Sequence, residues 1–169
     1  PGAGTAFTVQ LPFAGQPTTE QKVFNEFSRA DDLHILVVDD MEPVLTVLED
    51  ALQECCGSVF TALSGKQALE IYEREDIDLV ICDLAMPGMN GWELGKIILQ
   101  RSEARGLLKT PFVLLTGWGG KLLEQKNIAE AGVDAVVQKP VDLKELLRVI
   151  GRVVPKRLNA VREEEQNTR

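Results

Sequence analysis

Five polar side chains in this 169-residue chain stand directly after short apolar runs. Asp39 and Asp40 follow Leu33-His34-Ile35-Leu36-Val37-Val38, and Asp83 follows Asp78-Leu79-Val80-Ile81-Cys82. Thr116 follows Phe112-Val113-Leu114-Leu115, and Lys139 follows Ala135-Val136-Val137-Gln138. Three carboxylates brought together repel one another and need a cation to stay ionised at neutral pH. An all-oxygen donor set with positions left for water and phosphate oxygens suits Mg²⁺. A lysine beside that cation can stabilise the charge that moves in phosphoryl transfer, and a carboxylate nucleophile there would form an aspartyl phosphate. Singly, each residue has a plainer role: an Asp after a strand as a turn or cap residue, Thr116 as a strand terminator, Lys139 as a solvated charge. Their recurrence at successive strand ends is what points to one site.

The elements that must position them alternate regularly from Leu33 to about Val154. The apolar runs before Asp39, Asp83 and Thr116 have the continuous hydrophobicity of strands buried on both faces, and Val59-Phe60-Thr61-Ala62 reads as a short further strand. Helices are expected between them. After Pro43, residues Val44, Val47, Leu48, Ala51 and Cys55 share one helical face. Ser64 and Gln67 have capping-box spacing ahead of Ala68, Leu69 and Tyr72. Leu94, Ile97 and Ile98 mark a third helix, and residues 121–130 a weaker fourth. Asp142 with Glu145 caps a last one that carries Leu143, Leu146, Leu147 and Ile150 inward and stops at Pro155. Five strands alternating with five helices imply an α/β fold, a doubly wound five-stranded parallel sheet with helices on both faces. With the flavodoxin-like order 2-1-3-4-5, the five polar residues line the carboxyl edge of the sheet, where ligands of open parallel sheets bind.

Composition narrows the function classes. The balance of 18 Lys+Arg against 26 Asp+Glu gives a net charge of −8, which disfavours nucleic acid or an anionic membrane as a direct partner. No apolar run approaches the ~20 residues that span a bilayer. Three cysteines, two of them the neighbours Cys55 and Cys56, make no disulfide framework, so a reducing compartment, the cytoplasm, is expected. The single histidine, His34, sits at the start of the first strand, away from the polar edge, and reads as structural; it excludes His-rich metal sites. Cys82 reads as a small core residue rather than a reactive thiol.

Residues 33–154 resemble a response-regulator receiver domain. The resemblance is carried by Val37-Val38-Asp39-Asp40, by Cys82-Asp83-Leu84-Ala85-Met86-Pro87-Gly88-Met89-Asn90-Gly91, by Leu114-Leu115-Thr116-Gly117, and by Ala131-Gly132 through Lys139-Pro140. It implies that Asp83 is the phosphoacceptor and that Asp39, Asp40, Asp83 and the backbone carbonyl of Ala85 hold Mg²⁺. It implies further that Thr116 hydrogen-bonds the phosphoryl group, that Lys139 pairs with it, and that the Lys139–Pro140 bond is cis. The implied partner is a histidine-kinase phosphodonor domain or a histidine phosphotransfer protein. Two positions depart from the family's pattern: Val136 stands where an aromatic residue is frequent, and Val141 where Phe is.

Upstream, residues 1–13, with Phe7, Val9 and Leu11 on one side of an extended stretch, are similar to the closing strand of the ATP-binding domain of sensor histidine kinases. Residues 14–32 then read as a linker, with Val23, Phe24 and Phe27 at helical spacing, and residues 155–169 as a charged tail. That organisation suits the receiver of a hybrid sensor histidine kinase. This chain itself would carry no kinase active site, only self-phosphorylation and autodephosphorylation. A stand-alone single-domain response regulator is the alternative. A haloacid-dehalogenase-like phosphatase also uses an Asp nucleophile and Mg²⁺, but its Asp-x-Asp pattern after the first strand does not fit the adjacent Asp39 and Asp40.

Overall fold

A computed structural model describes residues 33–54, 57–117 and 125–154, apart from the side chains of 125–127. The expected extended stretch in residues 1–13, the linker with its helical stretch, Cys55, Cys56, Trp118 and the tail after 154 lie outside the described residues. The elements run β1 (His34–Val38), α1 (Glu42–Gln53), β2 (Ser58–Ala62), α2 (Gly65–Arg74), β3 (Leu79–Asp83), α3 (Gly91–Ala104), β4 (Phe112–Thr116), α4 (Gln125–Glu130) and β5 (Ala135–Gln138). A last helix, α5, covers residues 143–154.

All four strand pairs are parallel, as the strand–helix alternation predicts, and the order is the expected flavodoxin-like β2-β1-β3-β4-β5. Each central strand buries both faces because its apolar run has no polar interruption. Ile35 and Val37 of β1, Leu79 and Ile81 of β3, and Val113 and Leu115 of β4 meet α1 and α5 in one core. Leu36 and Val38, Val80 and Cys82, and Phe112 and Leu114 meet α2 and α3 in the other. Period-two alternation thus divides one sheet between two hydrophobic layers.

Two helix faces differ from expectation. In α1 the buried residues are Leu45, Leu48 and Leu52, while Val47 is 67% exposed. The leucines at i, i+3 and i+7 set the helix rotation, and the smaller Val47 falls outside their stripe. In α5, Leu146 and Ile150 are fully buried, but Leu143 in the first turn is 39% exposed. Asp142 does cap that helix, its carboxylate accepting the Glu145 N–H at 3.0 Å. The Ser64 cap also forms, accepting from the Gln67 N–H at 3.3 Å. The Gln67 side chain, however, closes on the Leu63 N–H at 2.9 Å rather than on Ser64.

The amino edge of the sheet is closed by polar groups remote from the aspartates. His34 donates its N–H to Asp78 (3.1 Å), and its Nδ1 lies 2.9 Å from the Asp76 carbonyl, the structural role expected of it. The buried Tyr72 hydroxyl joins Ser102 Oγ (2.9 Å) and Thr110 Oγ1 (2.8 Å), tying α2 to the end of α3 and to the approach to β4. Tyr72→Phe deletes both bonds while keeping the ring, so it should cost about 1–2 kcal/mol. That loss would appear as a lower urea midpoint at unchanged slope, and a wild-type midpoint would contradict it.

Candidate functional site

β1 ends at Val38, and Asp39 follows it, buried at the sheet edge. Its N–H donates to the Ala62 carbonyl (3.1 Å), and its Oδ1 accepts the Met41 N–H (2.9 Å). β1 is bonded directly to β3, with Val38 opposite Cys82, so Asp39 and Asp83 are neighbours at one edge. Asp83 closes β3 and accepts the Ala85 N–H on Oδ2 at 2.8 Å. Both residues are buried, at 1% and 6% exposure. Lys139 arrives from β5 across β4: its N–H donates to the Thr116 carbonyl at 2.7 Å, and its peptide bond to Pro140 is cis. Its ammonium then bridges Asp39 Oδ2 at 2.7 Å and Asp83 Oδ1 at 2.6 Å.

The sheet order therefore gathers residues 100 positions apart in sequence onto one nitrogen atom. Burial pulls the Lys139 pKa down, but the hydrogen bonds and charges of Asp39 and Asp83 outweigh it and hold the ammonium above its ordinary value. Cys82 responds oppositely: burial first, then the charges of Asp83 and Asp39, push its thiol well above the usual range. It stays a protonated core side chain and not a nucleophile.

Two buried carboxylates share a single ammonium, which leaves one negative charge uncompensated. A further cation would have to use lone pairs of the two carboxylates beyond those that meet the Lys139 ammonium and the Met41 and Ala85 N–H groups, which a carboxylate with about four lone-pair sites has to offer. No three acidic, His or Cys side chains converge as a metal cage among the described residues. A cation would rest on two carboxylates with carbonyl and water oxygens, the sparse protein donor set that Mg²⁺ tolerates.

Of the residues singled out by sequence, Asp39, Asp83 and Lys139 are in direct contact. Thr116 is buried at the end of β4, next to them through its backbone. Asp40 is exposed, and Ala85 is exposed with its N–H on Asp83. Sequence reasoning missed the Met41 N–H on Asp39 and the tight closure of the loop after Asp83. In that loop Leu84 donates to the Leu115 carbonyl at 2.8 Å, and Gly91 to the Leu84 carbonyl at 3.0 Å. Asn90 and Glu93 form a full capping box at 3.0 Å each way, a spacing legible in the sequence. A side chain at Gly91 would sit 2.7 Å from the Asp83 carbonyl oxygen, so only glycine lets α3 begin this close to the aspartate.

Comparison with known proteins bears on the family and the fold. Over 153 residues the chain is 29% identical to the aerobic respiration control sensor protein ArcB of Escherichia coli, covering 88% of this chain and 19% of ArcB. It thus spans about a fifth of the length of that relative. Among solved structures, the signal receiver domain of an HD domain-containing protein from Pseudomonas fluorescens Pf-5 superposes with a TM-score of 0.67 at 29% identity, over 75% of this chain and 98% of that one. The chemotaxis protein CheY4 of Vibrio cholerae gives 0.65 at 27%, over 72% and 98%. The family model of the response regulator receiver domain matches residues 35–151, which include Asp39, Asp83, Thr116 and Lys139, and the chain belongs to that family.

Proposed function

We propose that this domain takes a phosphoryl group from a phosphohistidine onto Asp83, with Mg²⁺ bound beside it. The convergence of Asp39 and Asp83 on the Lys139 ammonium carries this reading. In the transfer, an oxygen of the Asp83 carboxylate attacks phosphorus and forms an acyl phosphate. The P–N bond breaks, and its electron pair returns to the imidazole nitrogen of the donor. The Ala85 N–H holds the second carboxylate oxygen and so fixes which oxygen attacks. Lys139 lies within reach of the phosphoryl oxygens once its bond to Asp83 is exchanged, and Thr116 is the hydroxyl at the adjacent strand end. Asp39 and Asp83 would hold Mg²⁺, with Asp40 and the Ala85 carbonyl completing the set directly or through water. When bound, Mg²⁺ supplies positive charge for the oxygens of the transferring group.

The partner, in the same proposal, is a histidine-kinase phosphodonor domain or a histidine phosphotransfer protein. The parent would be a hybrid sensor kinase, with 1–13 as the end of its ATP-binding domain, 14–32 as linker, 33–154 as receiver and 155–169 as tail. Support comes from the match to a sensor protein over more of the chain than the 35–151 segment holds. The stand-alone alternative draws support from CheY4, of which 98% is covered. Sequence upstream of residue 1 discriminates the two by the presence or absence of a kinase domain. No helix among the described residues is long and apolar enough to cross a membrane.

The experiment for the site uses phosphoramidate as a small-molecule donor. With Mg²⁺, the expected product is an acid-labile phosphoryl group mapped to Asp83 by mass spectrometry, and chelation of the metal should suppress it. Uptake that ignores chelation, or that maps elsewhere, overturns the assignment.

A further inference from the structure

Gly65 poses a question that backbone geometry does not answer. It is the first residue of α2 and is buried, yet the described glycines with positive φ are Gly88, Gly106 and Gly132, so Gly65 has a conformation open to any residue. Glycine costs helix stability relative to alanine, so a different constraint keeps the position bare. That constraint is Met89. A Cβ at position 65 would lie 2.5 Å from Met89 Sδ and 3.0 Å from both its Cβ and its Cγ. Swinging the thioether aside relieves the 2.5 Å overlap, but the 3.0 Å approach of the Met89 Cβ remains and asks the residue itself to shift by a few tenths of an ångström.

Neither side of the contact can retreat freely. The turn into α2 is pinned by the Ser64 and Gln67 bonds, at 3.3 and 2.9 Å. Met89 donates its N–H to the Pro87 carbonyl at 2.9 Å, and the next residue, Asn90, is locked in its capping box. The same loop returns through Gly91 to Leu84 and holds Ala85, whose N–H fixes Asp83 Oδ2. Pressure on Met89 therefore reaches the carboxylate through a short chain of hydrogen bonds.

We propose that Gly65 is a positioning residue for the reaction at Asp83: the space it leaves on α2 seats Met89 and so holds the 84–91 loop in register with the carboxylate. The inference rests on the function proposed above, and two kinds of readout separate them. In the full chain, Gly65→Ala should shift the amide resonance of Ala85 and slow phosphorylation by phosphoramidate on the order of tenfold, within the ~100-fold that a 1 Å misplacement can cost. Gly65→Ala with Met89→Ala should restore both toward wild type, because the new methyl fills the space that the side chain vacates. An overpacking confined to α2 would also be rescued by the second truncation, but it would leave the Ala85 amide and the rate of the folded single variant unmoved. A folded Gly65→Ala protein with an unmoved Ala85 amide and a rate within about twofold of wild type overturns the proposal. So does a double variant no better than the single one. Should Gly65→Ala not fold, Met89→Ala alone decides: it must shift the Ala85 amide and slow uptake severalfold, and wild-type behaviour in both overturns the proposal. If wild-type protein takes up no phosphoryl group, the proposed function fails, while the Ala85 shift and its rescue still decide the positioning.

Discussion

Asp83→Asn should abolish phosphoryl uptake from phosphoramidate while leaving a folded domain. The carboxamide keeps an oxygen that can accept the Ala85 N–H, which Asp83 accepts at 2.8 Å, so the loop after β3 loses no anchor. It lacks the negative charge and the second equivalent oxygen that nucleophilic attack requires. The neighbours cannot take over. Asp39 is 1% exposed, with one oxygen on the Met41 N–H and the other on Lys139, and Asp40 points to solvent outside the cluster. With that oxygen on Ala85, the amide nitrogen replaces the oxygen that meets the Lys139 ammonium, so Lys139 must turn to Asp39 alone; the variant keeps that one pair, and stability should fall by no more than about 1–2 kcal/mol. Intact-mass spectrometry after donor treatment reads the first effect, and a urea titration the second. A phosphoryl group retained by the variant would show that the nucleophile lies elsewhere.

How far this site could be read from residues alone varies with the range of the interaction. Strand ends are local: an apolar run followed by Asp, Thr or Lys fixes where each functional residue leaves the sheet, and β1, β3, β4 and β5 end as expected. Right-handed crossovers restrict the order of the strands without selecting one, and it was the flavodoxin-like order 2-1-3-4-5, taken with the receiver resemblance, that brought the meeting of Asp39, Asp83 and Lys139 within reach. Helix rotation was less legible. Val47 and Leu143 look inward by hydropathy, yet the leucines around them win the buried stripe. Least legible were the close approaches. That Gly91 lies against the Asp83 carbonyl, or Gly65 against Met89, depends on tertiary distances that no spacing rule encodes. Asp39 and Asp40, adjacent in sequence, likewise part after β1 ends at Val38, one buried and the other exposed, a difference that their spacing does not encode.

Lys139→Met should weaken the fold by about 2–3 kcal/mol at neutral pH, below the ~3–5 kcal/mol typical of breaking a fully buried pair, because the lysine side chain is 26% exposed. Methionine matches the aliphatic stem, so the loss isolates the charge. Without the ammonium, Asp39 and Asp83 face each other buried with no counter-charge. Added Mg²⁺ should then raise the urea midpoint of the variant more than that of wild type, since a cation that binds only the folded state stabilises it in proportion to its affinity. The pH dependence has a definite sign. The Lys139 pKa is raised above 10.5 in the folded protein, so its contribution is complete at neutral pH and up to the unfolded value, and is lost as pH rises through the folded one. The stability gap between wild type and Lys139→Met should therefore stay level from pH 7 to about 10 and close above the unfolded value of 10.5. Urea unfolding of both proteins across that range measures it. A gap that closes already near pH 8, or that is absent at pH 7, would mean that the ammonium is not what holds the two aspartates together.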